Sequence, residues 1–238
     1  EIVRDTVRSY RTAMAGFAGQ GNLAVWYSRL EVEALLDTMR SQLSATQVKA
    51  FNRQTAKFAS RDSLQAFGKL TKKTDAGPRF RSEPPLVVPV DELLGVDWEW
   101  VVGSADRFLS HYLRSLADDR RDLVLQYRFV DLARKVVGVG SVGTRAWIVL
   151  LLGHDDDDPL ILQWKEAQAS VLEPHLGHSS FESHGRRVVA GQQLMQASTD
   201  IFLGWYHGYG LDGNPRDFYV RQLRDGGKAA NALWRLDD

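Results

Sequence analysis

The chain has 238 residues, with 30 Lys and Arg balanced by 30 Asp and Glu, 44% hydrophobic residues and no cysteine. That length and composition allow one large folded domain or two small ones, and argue against wholesale disorder, a collagen repeat or a disulfide scaffold. The missing cysteine excludes a Cys-ligated zinc site, an iron–sulfur cluster and a cysteine nucleophile, while the balanced charge gives no overall attraction to nucleic acid or anionic membrane.

In chain order, Val3, Val7, Tyr10, Met14 and Phe17 recur at helical steps and form one apolar stripe, which Gly19 and Gly21-Asn22 stop. A second periodic stretch covers 31–43. A third starts at Thr46 and carries Val48, Phe51, Thr55 and Phe58, and its companion is a helix over 63–70 with Lys72 and Lys73 at its C-terminal end. Pro78, Pro84, Pro85 and Pro89 forbid a helix over 77–89 and leave 86–88 as a short extended piece. Helical pattern returns over 104–116 and 120–127. The chain opens at Glu1 without a signal-peptide pattern and closes on Asp237-Asp238, which reads as an excerpt of a longer protein.

From about residue 126 the texture becomes β. A strand is expected over 130–137, then a glycine cluster, then a dense apolar run over 146–152 that is far too short to cross a bilayer. Asp155 to Asp158 form an acidic turn closed by Pro159. Over 160–165 the chain alternates, with Leu160, Leu162 and Trp164 on one face and Ile161, Gln163 and Lys165 on the other. A short helix over 167–172 ended by Pro174, a helix over 185–198 and strands over 201–206 and 218–223 complete the order.

Gly138-x-Gly140-x-x-Gly143 follows a strand, and three phosphate-binding readings compete for it. A Rossmann site needs a helix directly after the loop and an acid about 20 residues on, whereas Thr144 to Val149 reads as strand. A Walker loop needs a Gly-Lys-Ser/Thr ending, and Gly143-Thr144-Arg145 lacks the lysine. The kinase type remains, in which the glycines turn a hairpin whose backbone N–H groups cover the phosphates. A plain hairpin turn without ligand is the alternative. Lys165 strengthens the kinase type, because that arrangement requires a lysine on the third strand held by a helix glutamate. Alternation turns Glu166 to the opposite face, so Glu173 is the favoured partner. Gln192 and Gln196, one helical turn apart, instead present amides to the cleft. Arg145, Arg221 and Arg224 are candidate phosphate partners, Arg145 foremost because it adjoins the loop, with surface ion pairing the alternative for each.

His175, His178 and His184 with Glu173 and Glu182 fit no compact metal motif and read as loop histidines. The seven tryptophans lack an interleaved basic stripe and read as packing rather than a base-stacking platform.

The run Lys135-Val-Val-Gly-Val-Gly-Ser-Val-Gly-Thr-Arg145 resembles the signature of a bacterial domain-of-unknown-function family, number 2252. So do Leu162-Gln-Trp-Lys-Glu-Ala167, Ser170-Val-Leu-Glu173, Arg187-Val-Val-Ala-Gly-Gln-Gln-Leu-Met-Gln196, Phe218-Tyr-Val-Arg-Gln-Leu223, Asn22-Leu-Ala-Val-Trp-Tyr27 and Pro84-Pro-Leu86, so the resemblance covers essentially the whole chain. Members of that family carry a Gly-Asp-x-His-x-x-Asn-Phe segment followed by an Asp-Phe-Asp segment, both upstream of the stretch that corresponds to this chain. These resemble the catalytic and metal-binding loops of aminoglycoside-phosphotransferase-like kinases, and their order implies a kinase-like fold with permuted lobes. Neither segment is present in this sequence.

The resemblance therefore implies an α+β fold: a mostly helical region over 1–125, part of the large lobe, and a kinase-like nucleotide-binding lobe over 126–238 built from an antiparallel sheet with a packed helix. The chain would be a fragment of a larger permuted kinase-like fold. Gly138, Gly140, Ser141 and Gly143 would cover the phosphates with Arg145, Lys165 would contact them, Glu173 would orient Lys165, and the chain around Tyr219 to Leu223, with Arg221, would lead into an adenine-contacting hinge. The expected ligand is ATP with Mg²⁺, whose ligands and catalytic base lie outside this chain. A cytoplasmic phosphotransferase of unknown acceptor follows, with neither nucleic acid nor membrane as partner. The alternatives are a non-catalytic nucleotide sensor and a structural or partner-binding module without ligand.

Overall fold

The computed structural model describes residues 1–21, 25, 63–136, 143–155, 157–196 and 198–223. Helix α1 (Ile2–Ala18) ends at Gly19, as its stripe requires, yet none of its residues is buried. The stretches expected as helix over 31–43 and from Thr46 lie outside the described residues. Helix α2 (Ser63–Leu70) has its expected bounds. Lys72 and Lys73 do not prolong its end, however, but lie in β1 (Thr71–Thr74), paired antiparallel with β2 (Gly77–Phe80). Gly77 makes the turn possible with φ of 107°. Pro78 is tolerated because a two-stranded sheet consists of edges, where a missing N–H costs little.

The extended piece expected at 86–88 is β3 (Val87–Pro89), followed by α3 (Val90–Leu94). Helix α4 (Trp98–Leu113) begins earlier than its apolar pattern suggests, because Asp97 caps it by accepting the Trp100 N–H at 2.8 Å. Then come α5 (Asp118–Val124), β4 (Arg128–Lys135), β5 (Ala146–Leu152) and β6 (Pro159–Ala167). The helix expected over 167–172 is not formed: Ala167 stays in β6, and Pro174 sits in the first turn of α6 (Glu173–Leu176), where its missing N–H is harmless. Helix α7 (His184–Met195) is capped by Ser183, whose hydroxyl accepts the Arg186 N–H. The last strands are β7 (Gly204–Tyr209) and β8 (Pro215–Gln222). β7 starts after Ile201 because Asp200 holds 200–203 in a turn, its carboxylate accepting the Phe202 N–H and its carbonyl the Leu203 N–H.

Six strands form one antiparallel sheet in the order β3-β4-β5-β6-β8-β7. One face carries Trp147, Val149, Leu151, Leu162, Trp164, Phe218 and Val220, and packs under Val101, Phe108 and Tyr112 of α4. Trp164 sits in an aromatic cluster there, 5.6 Å from the rings of both Phe108 and Tyr112, so it is a core residue as read from the sequence. The other face carries Ile148, Leu150 and Ile161, which pack with Leu223 against Ala66 and Phe67 of α2. β5 lies between two such layers, and all seven of its residues are buried, which accounts for its unbroken apolar sequence. Residue 125, near which a subdivision is expected, lies between α5 and β4, while β3 and α4, from before it, contribute to the same sheet and core.

Asp131 locks the β1–β2 hairpin onto this sheet. It is fully buried, accepts the Phe80 N–H at 2.7 Å and Arg79 Nε at 3.0 Å, and also accepts the Leu132 N–H. Burial raises its pKa against these partners.

Candidate functional site

Register fixes which side chains meet. Gln163 faces Arg221 across β6 and β8, and Lys165 faces Tyr219. Directly opposed residues share a face, so these four form a polar strip on the face that α2 covers at one end. Helix α7 covers the other end. Its Gly185 lies so close to β8 that an added Cβ would stand 2.3 Å from the Phe218 carbonyl oxygen and 3.3 Å from Trp205 Cβ.

Lys165 and Arg221 are both half-buried, and neither has a carboxylate partner among the described residues. Burial, followed by the charge of Arg221, holds the Lys165 ammonium below its ordinary pKa. Burial also raises the Tyr219 hydroxyl. Gln163 is 1% exposed; its Oε1 accepts a long hydrogen bond from Arg221 Nε at 3.4 Å, and its buried Nε2 has no partner among the described residues. On its other side Arg221 lines a cleft of about 360 Å³ with Gln192, Gln196, Ser198, Thr199 and Asp200. The two glutamines expected to present amides to a cleft are thus brought to Arg221. Asp200 is already committed, its two oxygens accepting the Phe202 and Gln222 N–H groups.

Arg145 is not brought to this strip. Glu166, next to Lys165 but on the opposite face, accepts the Arg145 N–H at 2.9 Å and Arg145 Nη1 at 3.4 Å. Arg216 Nη1 reaches its other oxygen at 2.6 Å, and Asp212 binds Arg145 and Arg216 in turn. The Arg145 guanidinium is therefore neutralised by carboxylates rather than left open for a phosphate. The network's role is a brace, tying the C-terminal end of the glycine loop to the lysine strand. Gly143, at that end, has φ of 86°, a conformation that glycine alone adopts freely. Gly138, Gly140 and Ser141 lie outside the described residues.

Glu173 is not brought to Lys165 either. Its Oε1 accepts the Ser170 N–H at 3.1 Å, His178 Nδ1 lies 3.3 Å from Oε2, and His184 Nδ1 lies 4.0 Å from Oε1. The Ser170 hydrogen bond is the main reason its pKa is lowered. Alternation alone carried too little information here, because Glu173 follows a turn and its direction depends on the local hydrogen bonds of 170–178. No acidic residue lies on α7 to replace it. Among the described residues no group of three or more His, Asp or Glu side chains is disposed to hold a metal, and no helix is long and apolar enough to cross a membrane. Sequence reasoning put Gln163 on the lysine face but did not single it out. A carboxamide between Leu162 and Trp164 in an otherwise apolar strand was the available signal.

The model of family DUF2252, described as an uncharacterized protein conserved in bacteria, matches residues 1–233 of the chain. No curated protein and no solved structure matches it.

Proposed function

The chain belongs to family DUF2252, and from this and the site's geometry we propose that it supplies the nucleotide-binding part of a cytoplasmic, kinase-like phosphotransferase that uses Mg-ATP. One observation carries the reading. A lysine without an acidic partner among the described residues stands on β6, the third strand counted from β4, after the β4–β5 hairpin that contains the glycine loop and beside an arginine that likewise lacks one. Half-buried cations on one face are costly without a counter-charge, and a polyphosphate supplies it. The residues fit such a ligand, because Gln163 Nε2 is a buried donor still lacking an acceptor.

In this reading Lys165 neutralises and positions phosphate oxygens, the glycine loop covers them with backbone N–H groups, and the Glu166 brace keeps loop and lysine strand in register. Bound Mg-ATP supplies the transferable phosphoryl group. The catalytic base, the metal ligands and the acceptor are not assigned to any residue of this chain.

The absence of a carboxylate on α7 favours a second reading, a nucleotide sensor that does not catalyse transfer. Active protein kinases need the lysine–glutamate pair, whereas this helix offers Gln192. A titration of Mg-ATP into the full-length protein, followed by a turnover assay, tests both. Lys165→Ala should weaken ATP binding about 10- to 100-fold, the range expected for hydrogen bonds to a charged group. Equal affinity and equal turnover in the variant would remove Lys165 from the site. Binding that depends on Lys165 without any turnover selects the sensor.

A further inference from the structure

We propose that Arg221 and Gln163 complete, with Lys165, a clamp for the polyphosphate group itself, two cations and one buried carboxamide acting together. This deepens the nucleotide reading and rests on it for the identity of the natural ligand, but it makes a separate claim: the clamp holds phosphate whether or not a base is attached.

Three observations converge on it. Lys165 and Arg221 lie diagonally on adjacent strands of one face, and neither meets a carboxylate among the described residues. Arg79, Arg145 and Arg216 each bind two carboxylates, a counter-charge that Lys165 and Arg221 do not receive among the described residues. Gln163 adds an independent mark. It is 1% exposed, its Oε1 accepts from Arg221 Nε, and its Nε2 donor is unpaired; Arg134 Nε, Trp164 Nε1 and Arg187 Nε share that state among the described residues, but Gln163 is the one that lies on this strip. Finally, Arg221 opens onto a cleft of about 360 Å³ in which Asp200, the carboxylate at its wall, is occupied by backbone N–H groups.

The chemistry selects the ligand. A guanidinium presents a planar fork that suits two phosphate oxygens, an ammonium acts as a point charge, and a carboxamide N–H donates to a third oxygen. An anion with several oxygens and more than one charge satisfies all three. A single carboxylate leaves one cation unmatched.

The test uses inorganic tripolyphosphate with Mg²⁺ as the probe, followed by calorimetry and thermal melting of the full chain. Wild type should bind tripolyphosphate and lose it on addition of ATP. Arg221→Gln and Lys165→Gln should each weaken binding about tenfold or more, and Arg221→Lys, which keeps charge but not the fork, should fall between. Gln163→Leu should weaken binding about threefold or more and yet raise the melting temperature, because it removes an unpaired buried amide. That opposite movement separates a ligand-facing residue from a structural one. If Arg221→Gln and Gln163→Leu bind tripolyphosphate like wild type, the clamp is wrong, even where ATP binding still depends on Lys165. If the variants behave as expected but ATP neither binds nor competes, the clamp stands and the nucleotide reading falls. Wild type that binds neither probe overturns both.

Discussion

Lys165 and Glu166 are neighbours in the chain and serve opposite faces of one strand. Lys165 lies diagonally from Arg221 and has no carboxylate among the described residues, whereas Glu166 has a side chain only 5% exposed and holds both Arg145 and Arg216. For Glu166, burial pushes the pKa upward, but the Arg145 N–H and the Arg216 guanidinium outweigh it and hold the carboxyl below its ordinary value. Asp212 is lowered as well, chiefly by hydrogen bonds from Arg216. A carboxylate with a depressed pKa in the fold contributes stability that is complete above its unfolded value, about 4, and is lost as pH falls through the folded one. Wild type should therefore lose thermal stability on acidification below pH of about 4, and Glu166→Gln should lose less. At neutral pH the variant should be less stable by about 1–3 kcal/mol, since it gives up a buried charge-assisted pair. Melting curves against pH check both, and parallel curves would show that the brace contributes nothing.

Much of this residue-scale picture was legible in the sequence. Alternation along 160–165 separates Lys165 from Glu166 and puts Gln163 beside the lysine. What alternation cannot carry is contact across strands. Arg145 looked like a phosphate partner because it adjoins the glycine loop, but its partners Glu166 and Asp212 lie 21 and 67 residues further on and meet it only through sheet register.

At the scale of elements, α7 has the sharpest requirement. Its first turn rests on β8 so closely that Gly185 leaves no room for a methyl group: Phe218 carbonyl oxygen would be 2.3 Å away and its carbonyl carbon 2.9 Å, both backbone atoms that cannot swing aside. Gly191, further along the same helix, has nothing within 4 Å of the equivalent position. Gly185→Ala should cost about 2–3 kcal/mol by forcing helix and sheet apart, while Gly191→Ala should gain about 0.5–1 kcal/mol from helix propensity. Urea titrations with an unchanged slope would report both as true stability changes. Two losses of equal size would show that the close approach is not the cause.

The elements themselves were read with uneven success, for physical reasons. β5 and α2 have their expected bounds because an unbroken apolar run and a short amphipathic stretch each have one favourable state. The β1–β2 hairpin was missed because its strands are four residues each and carry Lys72, Lys73 and Pro78, residues with little strand preference. Tertiary contacts decide there: buried Asp131 binds the N–H of Phe80 and the side chain of Arg79, and thereby fastens the hairpin to β4.

For the molecule as a whole, the two faces of the sheet have different work. The face under α4 is closed by a continuous aromatic and aliphatic core from Trp147 to Val220. The face shared by α2 and α7 is apolar only at the α2 end and becomes the Gln163, Lys165, Tyr219 and Arg221 strip toward α7. A closed rigid face behind an incompletely paired polar one is the division expected of a binding scaffold, in which packing holds the donors in position before the ligand arrives. The balanced charge of the chain, 30 basic against 30 acidic residues, is compatible with this, because a phosphate site needs a few well-placed donors rather than an overall positive field.

The most direct test is site-resolved lysine acylation of the full-length protein, read by mass spectrometry with and without Mg-ATP. Lys165, half-buried and without an acidic partner among the described residues, should be protected about tenfold or more by Mg-ATP, while exposed lysines such as Lys72 keep their rates. Unchanged reactivity of Lys165 under conditions where Mg-ATP is demonstrably bound would place the nucleotide elsewhere and contradict the account.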